Sequence, residues 1–159
     1  MTLLLERRRP ADEPAQSFAF AAWAKEVLPL FRGRCTVVRL ASIDNEVLGV
    51  ARWSTLAEAW TEPGSAAGRH WSENPVVTVG PGDDPHLVLA TRTPVVVVGV
   101  DNEAHGYARA VIDSVRASCS AVLVVDMGHR LTGHSYADLA TFGFDRDRGG
   151  ALLELLTAG

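Results

Sequence analysis

The polar residues that could do chemistry crowd into the second half of the chain. Asp101, Glu103 and His105 follow one apolar run, and Asp126, His129 and His134 follow another. Asp145, Arg146 and Asp147 follow a third. Carboxylates and imidazoles in such places can serve acid–base chemistry or hold a metal. Asp126, His129 and His134 are the right types for zinc, but their spacing matches no metal motif, and capping the turn after a strand is the plainer use of Asp126. Glu103 and His105 are two apart, so they would not face each other on a helix. They read instead as a helix N-terminal turn, with Asp101 as cap and Glu103 favoured by the helix dipole. The segment from Gly143 to Gly149 could seat a phosphate at a helix start, yet Asp145 and Asp147 would repel it, and the pattern is neither a Walker A loop nor GxGxxG. Capping by Asp145 is the expectation. There is no GxSxG elbow, and Ser118 and Ser120 lie in a helix-to-strand connection. No catalytic set is complete, and neither metal nor cofactor is expected.

The elements that would position these residues follow from hydrophobic periodicity. Pro94–Val100, with four consecutive valines, and Ala121–Asp126 are apolar without alternation, which predicts strands buried on both faces of a parallel sheet. Cys35–Leu40 reads as a further strand, Pro75–Gly80 and His86–Ala90 as short ones, and Ala137–Phe142 as the last. Thr2–Glu6 reads as an opening strand. Helical spacing predicts helices over Ala15–Phe31, Asn102–Ser118 and Asp145–Thr157, and a weaker one over Asp44–Trp60. Trp23 is expected in the core. Trp53, Trp60 and Trp71 could form a stacking surface, with core packing the plainer reading. This alternation predicts an α/β fold, a three-layer sandwich with a mostly parallel central sheet.

The chain has 159 residues, enough for a single domain, 1–159, that needs no disulfide or metal to fold. Cys35 and Cys119 are far apart and read as small buried hydrophobes. The net charge is −4, and the one basic run, Arg7–Arg9, is answered by Asp12 and Glu13, so a nucleic-acid partner is not expected. No apolar run is long enough for a membrane span, and the simplest expected localisation is cytoplasmic.

The segment Ala121–Gly128, then Asp138-Leu-Ala-Thr-Phe-Gly143, Arg146, Gly149 and Ala151–Leu156, resembles the end of family 3 glycoside hydrolases, most of all the bacterial β-N-acetylhexosaminidase branch. Pro94–Val100 with His105-Gly106-Tyr107 is similar to the preceding strand and turn, and Thr2–Ala15 to the opening of the family's second domain. The likeness covers residues 94–159 well and 2–15 weakly. It implies an α/β sandwich that normally follows a (β/α)8 barrel. In that branch the barrel carries the nucleophile and the acid/base groups, so no family catalytic residue transfers to this chain. Gly106 departs from the family's usual proline, and Asp147, Arg148 and Gly150 depart from a more apolar helix opening.

Two functions stand open. One is a non-catalytic domain that packs beside a barrel or binds carbohydrate. The other is a small independent enzyme or ligand-binding protein using a cleft near Asp101, Asp126 and His129. Parallel sheets bind ligands at the carboxyl ends of their strands. The expected contact residues are therefore Asp101, His105, Asp126, His129 and Arg146. Arg146 leads that set because its fork can grip a carboxylate or a hydroxyl pair, a salt bridge to Asp138 or Asp145 being its competing use.

Overall fold

The computed structural model describes residues 18–41, 73–86, 89, 91–131, 133–143 and 146–157. The strands are β1 (Ala19–Phe20), β2 (Thr36–Leu40), β3 (Val76–Val79), β4 (Val95–Gly99), β5 (Val122–Asp126) and β6 (Leu139–Ala140). The α-helices are α1 (Ala24–Val27), α2 (Gly106–Ser118) and α3 (Arg146–Thr157), with 3-10 turns at Leu28–Phe31 and Asn102–Ala104. The strands form one sheet in the order β1-β6-β5-β4-β2-β3, parallel throughout except for the β1–β6 pair.

The valine runs settle in the middle of this sheet because each of their side chains finds apolar cover. Every residue of β4 is buried. Val96 and Val98, with Leu123, Val125 and Val37, pack under Ala24 of α1, Leu28 and Phe31 of the 3-10 turn that follows it, and Leu152 and Leu156 of α3. Val95, Val97, Val124 and Val38 pack on the other face under Ala108, Val111, Ile112 and Val115 of α2. Those four α2 residues recur at i, i+3, i+4 and i+7, one stripe of a helix. Two apolar faces, each covered by helix, make the expected three-layer α/β sandwich. Both predicted central strands lie inside the sheet.

The amino-terminal prediction needs correction. Ala15–Phe31 is not one helix: Ala19 and Phe20 pair with Ala140 and Leu139, and only Ala24–Val27 is α-helical before the 3-10 turn. Pro29 has no N–H to continue an α-helical ladder, and Phe18 gains burial by staying with the strand. Trp23, at the helix entry, is 43% exposed rather than in the core, whereas Phe18 and Phe31 are buried. The predicted helix Asn102–Ser118 is broken at His105, which is extended. Cys35 is buried as expected and Cys119 is half-buried; both are free. His86 and Leu89 show no strand, and the rest of His86–Ala90 lies outside the described residues. The predictions for Thr2–Glu6, Asp44–Trp60, Trp53, Trp60, Trp71 and Asp145 also fall outside them. Among the described residues, no helix is long and apolar enough to cross a membrane.

Candidate functional site

The carboxyl ends of β4 and β5 build a cavity of about 420 Å³, lined among others by Asp101, Glu103, Asp126, Arg130, Leu131 and Tyr136. Its floor is set by Asp126, the last residue of β5. One carboxylate oxygen of Asp126 accepts the backbone N–H groups of Asp101 (3.0 Å) and Gly128 (2.7 Å), and the other accepts that of Asn102 (2.9 Å). Asp126 thereby ties the loop after β4 to the loop after β5. Burial pushes its carboxyl above the ordinary range; the three backbone bonds oppose that rise, and the nearby Asp101 charge adds to it.

Two glycines make this approach possible. A Cβ on Gly99 would stand 1.9 Å from Asn102 Oδ1, and one on Gly128 would stand 2.0 Å from Asp101 Oδ1. Asn102 is fully buried and donates its amide to the carbonyls of Tyr136 (3.0 Å) and Val125 (3.3 Å). Asp101 takes a left-handed backbone conformation (φ 52°), uncommon for a residue with a side chain. It precedes the 3-10 turn as expected of a cap, but its side chain makes no capping bond; its N–H is spent on Asp126.

The five expected contact residues do not all converge. Asp101 and Asp126 line the cavity. His105 is half-buried beside Tyr107, ring centroids 6.1 Å apart, and does not line the cavity. His129 is exposed and is not part of the lining either. Arg146 opens α3, and its side chain lies outside the described residues. The Asp138 carboxylate meets Arg116 at 3.1 Å and accepts the Val124 N–H at 2.8 Å. Burial raises the Asp138 carboxyl, against the pull of the Val124 N–H and Arg116. Asp138, read as part of a family motif, is thus the clamp that holds β6 in register on β5.

The zinc-type trio does not assemble. Asp126 spends its lone pairs on backbone, and His134 Nδ1 stands 2.8 Å from the Ala137 carbonyl. Among the described residues, no group of three or more His, Cys, Asp or Glu side chains is placed to hold a metal. Sequence reasoning missed Arg130, Tyr136 and Asn102. Arg130 and Tyr136 follow β5 by sequence but carry no motif, and Asn102 looked like an ordinary helix-start residue. The lining brings the carboxylates of Asp101, Glu103 and Asp126 together with the exposed Arg130.

Neither a family model nor a curated protein matches the chain. Among solved structures, the fold matches part of one titled "A unique GCN5-related glucosamine N-acetyltransferase region exist in the fungal multi-domain GH3 beta-N-acetylglucosaminidase". The TM-score is 0.65 at 10% identity, over 92% of this chain and 17% of that one. At that identity the likeness is one of fold, and this chain spans less than a fifth of that protein's length.

Proposed function

We propose that the chain is a non-catalytic α/β domain of a β-N-acetylhexosaminidase-like glycoside hydrolase, using the carboxyl edge of its sheet to meet a (β/α)8 barrel or a carbohydrate. The observation that carries this reading is the use of Asp126. The most buried carboxylate at the cavity is held by three backbone N–H groups and is not poised toward a substrate proton. The fold likeness to part of a multi-domain β-N-acetylglucosaminidase supports it, as does the resemblance of residues 94–159. By chain order, Asp101, His105, Asp126, His129 and Arg146 stand at or after the carboxyl ends of β4, β5 and β6, which supports one shared edge even where they do not share the cavity. On that edge they are proposed contact positions for the partner.

The test is enzymatic. The purified chain should leave aryl β-N-acetylglucosaminides intact and should transfer no acetyl group to glucosamine. Turnover of either kind that disappears in Asp101→Asn or Asp126→Asn would replace this reading with an independent enzyme. A second reading, a free-standing ligand-binding protein, is favoured by one observation: Asp101 and Asp126 share a cavity large enough for a small molecule. Calorimetry against N-acetylglucosamine separates this reading from barrel docking, since a barrel-docking surface has no need to bind the free sugar.

A further inference from the structure

Arg39 is a charged residue set inside a parallel sheet. It is the fourth residue of β2, flanked in register by Val98 of β4 and Thr78 of β3. Its neighbours Val38 and Leu40 belong to the face under α2, whereas Val37 belongs to the face under α1 and α3. Side chains alternate along a strand, so Arg39 and its register partner Thr78 project from the α1/α3 face. Thr78 and Val76 are exposed there, so the face is open on the β3 side. Arg39 is half-buried, and its Nε is out of water with no hydrogen-bond partner. Among the described residues, its guanidinium makes no ion pair.

A guanidinium donor removed from water without an acceptor is costly, and the group that best repays it is a planar oxyanion gripped by the fork. The location adds to this. β3 lies on one side of β2 and β4 on the other, so the strand order reverses at β2, and ligands of open parallel sheets sit at such reversals near the carboxyl ends. Arg39 is one residue from the carboxyl end of β2. It lies apart from the cavity at β4 and β5, whose lining does not include it.

We propose that Arg39 and Thr78 form an oxyanion-binding site, taking the phosphate or carboxylate group of a small ligand, with the guanidinium as fork and the Thr78 hydroxyl as a further donor. The site is independent of the glycoside-hydrolase reading and of Asp126. The probe is inorganic phosphate, with acetate as the carboxylate arm and sodium chloride at matched ionic strength as control. Phosphate should raise the melting temperature of the full chain saturably beyond chloride. Arg39→Met should weaken the apparent affinity roughly tenfold or more, the effect of losing a charge-assisted bond. Thr78→Val should weaken it by a smaller factor. Without phosphate, Arg39→Met should melt no lower than the parent, because it removes a desolvated donor. Arg130→Ala, in the separate cavity, should keep the full response. A phosphate shift no larger than that of chloride, or one retained in either Arg39→Met or Thr78→Val, overturns the proposal. So does a phosphate-insensitive parent that Arg39→Met destabilises, which would mean that an acidic side chain of the chain itself already holds the fork.

Discussion

At the scale of single residues, the chain spends its buried polar groups on holding loops and strands together. Asp126 shows the logic most directly. Asp126→Ala would leave the N–H groups of Asp101, Asn102 and Gly128 without their acceptor in a site that water reaches poorly, and should cost about 2–4 kcal/mol in urea unfolding. Asp126→Asn retains one oxygen and should cost less. Asp138 is the counterpart one strand away, joined to Val124 and Arg116. At Cys35 the cause of a shifted pKa is burial. Its thiol donates to the Phe31 carbonyl at 3.2 Å, and burial pushes its pKa from 9.0 to about 11. A native pKa raised in this way favours folding while the thiol is neutral. That contribution is complete below 9.0 and is lost as pH rises through about 11. The stability difference between the parent chain and Cys35→Ala should therefore shrink by about 2–3 kcal/mol across that window, measured by denaturant titration at each pH. Cys119, half-buried, should react with a thiol reagent in the folded protein at neutral pH while Cys35 stays protected until unfolding.

At the scale of elements, what could be read from sequence was what local pattern controls. The valines of β4 and the apolar run of β5 announce buried parallel strands, since no solvated strand would be apolar on both faces. The α2 stripe is likewise a local signal. Residues 18–31 could not be read this way: the partner that draws Ala19 and Phe20 into a strand is β6, far along the chain, and helical spacing knows nothing of it. The candidate site was half legible for the same reason. Its place, after β4 and β5, follows from topology; its wiring does not, because Asp126 meets Asn102 and Asp138 meets Arg116 only once the sheet has formed. The junction of β4 with its following turn supplies a test of that wiring. A Cβ at Gly99 would collide with Asn102 Oδ1 and press on Leu40, so Gly99→Ala should destabilise by roughly 1–3 kcal/mol. Combining it with Asn102→Ala should cost less than the sum of the two single changes, because the obstacle is gone in the double variant. An additive result in a double-mutant cycle would mean that the Gly99–Asn102 contact is not what limits this position.

For the whole molecule, the architecture ranks its parts by stability. β4 and β5 are flanked by strands on both sides and covered on both faces, whereas β1 contributes two residues to an edge and β3 leaves Val76 and Thr78 exposed. Opening an edge strand exposes little apolar surface; opening β4 exposes both cores at once. Native-state hydrogen exchange should therefore find the slowest amides at Val96, Val97, Leu123 and Val124, exchanging only on global unfolding, with Ala19, Phe20 and Val76 released well before. Docking should act on this gradient selectively. If the carboxyl edge of the sheet meets a barrel, adding that partner should slow exchange in the loops after β4 and β5, around Asp101, Asn102 and Gly128, and leave β3 unchanged. The loops are the right reporters because Asp126 binds them to one another, so a partner that orders either one steadies both. Protection that instead appeared along β3 would place the contact on a lateral edge strand, away from every residue proposed to make it.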